Sequence, residues 1–186
     1  MDFYDVVNER KSIKDFKDTP IDNSKINRII EAVMRAPSWK NKSCYKVILV
    51  DDYIKRQDLS ECIDNDDYSA ISAVKKAPII ALIVANPYKS GRVDGKDFYL
   101  VDAGIAMEHL VLAATAEGYG TCWIGSLLED RIRELLNIPE EYRVIAMTPI
   151  GVTELKSSHY PEKEEQNYVF HNEWNSEYTS KEYVIK

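Results

Sequence analysis

One continuous stretch, Asp102 to Gly125, constrains the fold of this chain more than any other. Its first part is apolar on almost every side, so the sequence predicts a helix that is buried nearly all round. Gly118 can end that helix in the left-handed conformation, and the β-prone run Thr121 to Ile124 follows. The stretch predicts a central core helix that leads into a core strand. Gly125 closes it, and a glycine at a strand end also lets a ligand approach bare backbone.

The composition argues against several classes of protein. With 31 acidic and 24 basic side chains the chain has a net charge of −7, which argues against nucleic-acid binding and a basic membrane-binding patch. We find no apolar run as long as a membrane span and no secretory signal pattern at the start. The three cysteines lack C-x-x-C spacing and the three histidines lack paired ligand spacing. We therefore expect reduced thiols in a cytoplasmic protein without a bound metal.

Hydrophobic patterning predicts both helices and strands along the chain. The apolar run Pro78 to Ala85 has the length of a strand and no polar face, so it is expected in the middle of a sheet covered on both sides. Further strands are expected at Tyr45–Val50, Thr121–Ile124 and Tyr142–Gly151, the last with Pro149 at an edge or near a strand end. A length of 186 residues suits one domain, residues 1–186, of the α+β class with a central mixed sheet between helices.

The clearest amphipathic helix precedes the first strand. Its apolar stripe runs from Ile26 to Met34, and Asp22 is placed to cap its start. The helix is expected to end near Ala36, because Pro37 disfavours helical geometry in the residue before it.

The last part of the chain, residues 152–186, has a different character. It is polar and charged, yet it carries six widely spaced aromatic side chains. Such a segment is not typical of disorder and is too short to build a core of its own. We expect an extended tail that packs along another surface, either the body of the chain or a partner subunit.

Three stretches carry residues suited to a ligand, although none is specific alone. The segment Arg10 to Lys14 places three cations and a hydroxyl together, which could hold a phosphate or could form a solvated turn. Ser38 and Asn41 offer short polar groups beside Trp39, suited to the edge of a flat heterocycle, and Gly125 admits backbone N–H groups to a ring. The sequence has neither G-x-G-x-x-G nor a P-loop, so these folds do not account for the pattern.

In this order and at these separations, the stretches resemble the nitroreductase family of flavoproteins. The opening R-x-S-x-[RK] is matched by Arg10 to Lys14, and A-P-S-x-x-N by Ala36 to Asn41. The elements D-A-G, L-x-x-A-A-x-x-x-G and C-W-I-G are matched between Asp102 and Gly125. Ile150-Gly151 followed by a basic residue in the tail has a counterpart as well. The resemblance covers residues 1 to about 175 of the chain.

The resemblance implies a nitroreductase-like three-layer fold, with the C-terminal tail packed on the partner of a homodimer. It also implies one FMN at each of two interface sites, where the first motif holds phosphate and ribityl and the A-P-S-x-x-N loop reaches in from the other subunit. A backbone N–H of the C-W-I-G segment, from Ile124 or Gly125, is expected near flavin N5. The residues at matching FMN-binding positions are Arg10, Lys11, Ser12, Lys14, Pro37, Ser38, Trp39, Asn41, Trp123, Ile124, Gly125 and Lys163.

The chain departs from the family pattern at three places. Ser43 to Tyr45 stand where relatives often have Gln-Pro-Trp. Lys163, among three glutamates, stands nearest to the position of the usual tail arginine. Ala70 and Ala73 match positions where larger members place an Asn and a Lys on the ring. These changes affect the pocket wall, the phosphate and the ring contacts respectively.

The activity that the resemblance implies is FMN-dependent reduction by NAD(P)H. Hydride would pass to flavin N5 and then to a nitroaromatic, quinone or similar acceptor, with one pocket serving donor and acceptor in turn by ping-pong kinetics. No catalytic side chain is assigned, since the cofactor carries the redox chemistry. Two alternatives remain open: a relative with dehalogenase or flavin-breakdown chemistry, and a non-enzymatic flavin-binding or structural dimer.

Overall fold

The structure is a computed structural model that describes residues 1–65, 68–154 and 168–177, and its chain divides into two compact units, residues 1–155 and 156–186. The helices of the first unit are α1 (Phe3–Glu9), α2 (Asn23–Met34), α3 (Tyr53–Ser60), α4 (Tyr68–Lys76), α5 (Phe98–Ala116) and α6 (Glu129–Leu136). The strands are β1 (Tyr45–Val50), β2 (Ile79–Ala85), β3 (Arg92–Val93), β4 (Lys96–Asp97), β5 (Gly120–Thr121) and β6 (Arg143–Gly151).

Four strands form the central sheet in the order β1-β2-β6-β5. Each ladder between neighbouring strands is antiparallel, and a parallel bridge joins Ser12 to Thr121 beside β5. Over the described residues, the expected mixed sheet is thus antiparallel in its ladders and parallel at that bridge. Pro149 lies in the interior strand β6 and not at an edge, two residues before the strand ends at Gly151.

Helices cover both faces of the sheet, which gives three layers. Along β2, Ile80, Leu82 and Val84 face a core built with α3, α4 and α6. The intervening residues Ala81 and Ile83 face a second core built with α2 and α5. This alternation follows from the two-residue period of a strand, and it confirms that the apolar run is covered on both sides.

Local signals in the sequence set several helix ends. The Asp22 side chain accepts a hydrogen bond from the Ser24 amide at the start of α2, and α2 ends at Met34, shortly before Pro37. Asn137 ends α6 in the left-handed conformation, with φ of 52°. These ends depend on neighbours in sequence, so they were predictable to within a few residues.

The central helix α5 differs from the prediction in two ways. It begins at Phe98, before the expected start at Asp102, and it is not buried all round. Its inner side is buried between Ala103 and Ala114, whereas Leu100 and Val101 are 48% and 50% exposed. By length and composition α5 could also cross a membrane, a test that the core helix of a water-soluble protein passes equally well.

The second unit is described only at residues 168–177. There the chain turns back on itself, with a bridge between Phe170 and Glu177 and a hydrogen bond from the His171 amide to the Ser176 carbonyl at 3.0 Å. The rings of Phe170 and Trp174 pack at 4.9 Å between centroids. The expected packing of the tail on a partner remains a prediction.

Candidate functional site

The first predicted motif begins where α1 ends. Arg10 caps that helix with extended backbone angles, φ −60° and ψ 124°, and its amide donates to the Val6 carbonyl at 2.9 Å. The chain then runs beside the sheet, because the Ile13 amide donates to the Thr121 carbonyl at 2.7 Å and the Lys17 amide to the Val152 carbonyl at 2.9 Å. Backbone hydrogen bonds therefore hold this motif on both sides.

A glycine in β5 makes this close approach possible. A Cβ atom at Gly120 would lie 2.9 Å from both Cγ1 and Cγ2 of Ile13. Any larger residue at Gly120 would push the first motif away from the sheet. No local sequence pattern indicates this role of Gly120, because the contact with Ile13 joins distant parts of the chain.

The charge of the first motif is not neutralised by its own acidic neighbour. The Asp15 carboxylate lies 2.8 Å from the Lys76 ammonium, and this hydrogen bond lowers the pKa of Asp15. Arg10, Lys11 and Lys14 are each partly exposed, and Ser12 is exposed between them. Within residues 1–65, 68–154 and 168–177, the Arg10 guanidinium has no hydrogen-bond or ion-pair partner. The segment can therefore offer a guanidinium and a hydroxyl to an anion.

The second predicted motif is a tight loop with unusual backbone angles. Residues Trp39–Asn41 form one turn of 3-10 helix. Lys40, Asn41 and Ser43 all have positive φ, of 49°, 55° and 45°. The Ser38 hydroxyl accepts from the Ser43 amide at 2.8 Å and so closes the loop on itself. Non-glycine residues adopt such angles at a cost, which means that surrounding contacts hold the loop in place.

A buried carboxylate supplies the main contact between this loop and the body of the protein. Asp102, in the first turns of α5, is 1% exposed and accepts from the Trp39 amide at 2.7 Å. It also accepts from the Cys44 thiol at 3.3 Å and from the Ser90 hydroxyl at 3.1 Å. The sequence placed Asp102 in a family motif but assigned it no task, since its three donors lie far apart in the chain.

The thiol beside this carboxylate stays protonated. Burial raises the pKa of Cys44 to about 11, and the hydrogen bond to Asp102 acts in the same direction. Burial, followed by the charge of Asp102, also raises the pKa of Tyr45. Cys44 therefore acts as a hydrogen-bond donor and is not a reactive thiolate at neutral pH.

The ring of Trp39 is held by its own chain. A Cβ atom at Gly91 would lie 2.5 Å from this ring, so the indole packs directly on the glycine backbone. The ring centroid of Phe98 is 5.9 Å away, and the Lys40 and Lys42 ammonium groups lie 4.5 and 5.1 Å from the Trp39 ring. Trp39 remains partly exposed, and Pro37, Ser38 and Asn41 are its neighbours along the same loop.

The C-W-I-G segment contains the two residues that were expected to offer a backbone N–H to a ring, Ile124 and Gly125. Ile124 and Met147 exchange two backbone hydrogen bonds, each of 2.9 Å, so the Ile124 N–H is already engaged within the sheet. Of the two expected donors, Ile124 or Gly125, the Ile124 N–H is thus already paired with a backbone carbonyl. Gly125 is exposed, and a Cβ atom there would meet nothing within 4 Å. Among the residues that the structure describes, the Gly125 N–H has no partner, which leaves it as the candidate donor.

The remaining predicted positions differ in exposure. Trp123 is 43% exposed and its ring edge lies 4.0 Å from the Cβ position of Gly104 in α5. Ala70 and Ala73 are buried on α4, in the same core cluster as Cys122 and Ile124. Lys163 lies outside the described residues, and its predicted phosphate contact is untested.

Two of the three motifs therefore lie together, and the third is attached elsewhere. The bridge joins Ser12 of the first motif to Thr121, which stands two positions before Trp123 and four before Gly125 in the chain. The loop around Trp39 is bound to Asp102, and among the described residues no hydrogen bond joins that loop to Arg10 or Ser12.

Comparison with known proteins identifies the family. The model of the nitroreductase family matches residues 7–152. A protein of Methanothermobacter thermautotrophicus, provisionally named an NADH dehydrogenase/NAD(P)H nitroreductase, is 32% identical over 155 residues, 81% of this chain and 77% of that protein.

Solved structures agree with this match. The crystal structure of a nitroreductase family protein from Clostridium novyi is 46% identical, covers 95% of this chain and 96% of its own, and gives a TM-score of 0.80. An FMN-dependent nitroreductase from Clostridium difficile is 28% identical, with coverage of 91% and 98% and a TM-score of 0.79. The chain described here belongs to the nitroreductase family.

Proposed function

We propose that this chain is an FMN-dependent oxidoreductase that takes hydride from NAD(P)H and reduces nitroaromatic, quinone or similar acceptors. Its class, an NAD(P)H-dependent oxidoreductase, follows from the family and from relatives named for that activity. The observation that carries the proposal is the β-bridge that sets the cations of the first motif beside the C-W-I-G segment. A phosphate group and a flat ring could then be held by adjacent parts of one sheet edge.

The residues present fit an FMN molecule. The Arg10 guanidinium has no partner among the described residues, and the Ser12 hydroxyl is exposed beside it, which suits a phosphate. The Gly125 amide has no partner in the described part of the chain, and a Cβ atom there would meet nothing within 4 Å, which suits the approach of a ring. When bound, FMN would supply hydride acceptance and donation at its N5 atom.

Each residue then has a defined task. Arg10, Lys11, Ser12 and Lys14 bind the phosphate and ribityl end, and Lys163 is proposed to add a further cation. The amide of Gly125 donates toward the ring, and Trp123 shields that region from water. Because donor and acceptor would use the same open face in turn, we propose ping-pong kinetics.

The proposed assembly is a homodimer with its sites between the subunits. The loop that carries Pro37, Ser38, Trp39 and Asn41 is bound to Asp102 of its own chain, and among the described residues it makes no hydrogen bond with Arg10 or Ser12. A loop in that position could complete the site of a partner subunit. The half-exposed Leu100 and Val101 on α5 offer apolar surface for such contacts. We further propose that the dimer works in the cytoplasm.

A second candidate is a flavin-binding dimer without reductase activity. The observation in its favour is the burial of Ala70 and Ala73, where larger family members are expected to contact the ring. Fewer ring contacts would give weaker control of the flavin. The two candidates differ in whether bound flavin is reduced by NADH.

The visible spectrum of the purified protein, recorded before and after NADH under argon, tests the proposal. A yellow protein that bleaches with NADH or NADPH supports the oxidoreductase. A protein that stays yellow supports the second candidate. A colourless protein that takes up no added FMN contradicts both.

A further inference from the structure

A single buried carboxylate on α5 binds donors from two separate loops. Asp102 accepts from the amide of Trp39, the thiol of Cys44 and the hydroxyl of Ser90, at 2.7, 3.3 and 3.1 Å. Trp39 and Cys44 flank the strained loop, and Ser90 precedes Gly91, on which the Trp39 ring packs. The contacts of Asp102 therefore fix the loop at both of its ends and also fix the backbone beneath its ring.

The chemistry of these donors shows what the carboxylate does. Burying an ionised carboxylate is unfavourable unless hydrogen bonds or an opposite charge compensate for lost water. Among the described residues Asp102 forms no ion pair with a Lys, Arg or His side chain, and the three donors are its hydrogen-bond partners. Such a group is poorly suited to adding general stability. It is well suited to holding particular donors in one arrangement.

The loop needs an arrangement of this kind. Three of its residues, Lys40, Asn41 and Ser43, have left-handed backbone angles that non-glycine residues seldom adopt. Strained angles persist only where neighbouring contacts determine them. Within the loop, the Ser38 hydroxyl supplies one such contact through the Ser43 amide at 2.8 Å. Further contacts cross to the body of the protein from Asp102, Gly91 and Phe98.

We infer that Asp102 is a positioning residue for the flavin site: it holds the loop of residues 38–43 in the conformation that completes the site of the partner subunit. This inference rests on the proposed function, since it concerns the same shared site. Asp102 itself does not touch the cofactor in this scheme. Its effect passes through the Trp39 amide to Ser38, Trp39 and Asn41.

Three variants test the role of the carboxylate in the full-length homodimer. Asp102→Ala removes both carboxylate oxygens that accept these hydrogen bonds, so the affinity for FMN should fall at least about tenfold. Asp102→Asn keeps one carbonyl oxygen and should fall between the wild type and Asp102→Ala. Cys44→Ser keeps a donor to Asp102 and should bind FMN nearly as the wild type does. Thr115→Ala is the matched control, because it removes a 2.8 Å hydrogen bond to Val111 within the same helix and should leave affinity unchanged.

Mixed dimers separate positioning from general stability. In a dimer of an Asp102→Ala chain with an Arg10→Glu chain, one site receives an intact Arg10 from the first chain and an intact loop from the second. That site should bind about one FMN per dimer with wild-type affinity. A dimer of Asp102→Ala with Asn41→Glu has a damaged loop in both chains, so neither site should recover. Equal flavin content in the two mixed dimers would overturn the inference.

A measurement without flavin keeps this test separate from the proposed function. Hydrogen exchange of the apo protein should be at least about tenfold faster at residues 38–43 in Asp102→Ala, and unchanged at residues 12–17. If the wild type fails to bind FMN while the exchange result holds, the flavin function is wrong and the positioning of the loop stands. If exchange at residues 38–43 is unchanged in Asp102→Ala, the positioning role is wrong whatever the flavin does.

Discussion

The two halves of the candidate site are held in place by different means. The first motif is fixed by backbone hydrogen bonds, since Ile13 donates to Thr121 and Lys17 donates to Val152. The loop of residues 38–43 is fixed mainly through one side chain, Asp102, and includes three left-handed residues. A backbone ladder tolerates most side-chain changes, whereas a loop held by one carboxylate depends on that carboxylate. The halves should therefore respond differently to substitution and to pH.

The largest expected effect depends on whether the two halves of one flavin site come from the same subunit or from different subunits. Arg10→Glu and Asn41→Glu homodimers should each lose both flavins, because every site then contains one introduced negative charge. If the site is shared, a mixed dimer of the two variants contains one site with both lesions and one with neither, and should hold about one FMN per dimer. Co-expression with different tags isolates this dimer, and bound FMN is the measurement. A flavin content near zero would place both residues in one chain's site.

The chemistry of the first half can be tested with two ligands. Arg10→Ala removes the guanidinium that has no described partner, and a hydrogen bond to a charged group is worth about 1.5–3 kcal/mol. FMN affinity should fall about tenfold or more, whereas riboflavin, which lacks the phosphate, should be affected far less. Fluorescence titration of both ligands measures this. Equal losses for FMN and riboflavin would show that Arg10 does not bind the phosphate.

The sequence predicted the parts of the molecule that depend on neighbours along the chain. The end of α2 before Pro37 and the strand Ile79–Ala85, covered on both faces, followed from local backbone chemistry and hydrophobic pattern. The three candidate ligand-binding stretches also came from the sequence, as a resemblance, and their binding role stays a prediction. What it could not provide was the partner of each group in space.

Two residues show where that limit lies. Ile124 was chosen as an amide donor from its position in a motif, but its N–H pairs with Met147, which lies over twenty residues further along the chain. Asp102 was given no task, because its three donors come from two loops that only the fold brings to α5. Hydrogen-bond pairing over such separations leaves no periodic trace in a single sequence.

The backbone attachment of the first half can be weakened through one glycine. Gly120→Ala would place a methyl group 2.9 Å from the Ile13 side chain. Overpacking of this kind costs about 1–3 kcal/mol, so the free energy of unfolding should decrease by that amount. Gly125→Ala is the matched control for stability, since its added methyl group meets nothing within 4 Å. Urea unfolding of both variants measures the effect, and equal stability would mean that Ile13 moves aside freely.

The second half should also be the one that is sensitive to alkaline pH. Burial, followed by hydrogen bonding to Asp102, raises the pKa of Cys44 from 9.0 to about 11 in the folded protein. The protonated thiol therefore stabilises the folded state fully below pH 9, and this stabilisation is lost as pH rises toward 11, because the unfolded chain ionises first. Two pH units correspond to at most about 2–3 kcal/mol. Cys44→Ser removes the titrating group and keeps a donor, so the stability difference between wild type and variant should change by up to this amount from pH 8.5 to 11.

The control is Cys62→Ser, because burial also raises the pKa of Cys62, although that thiol donates to the Asp58 carbonyl and does not contact Asp102. Hydrogen exchange over the same pH range, corrected for its intrinsic pH dependence, should become faster at residues 38–43 in the wild type but not in Cys44→Ser. At residues 12–17 the exchange rates of the two proteins should be alike. If the loop shows no such difference, the thiol does not contribute to holding it, and the backbone-held and carboxylate-held halves are equally robust to pH.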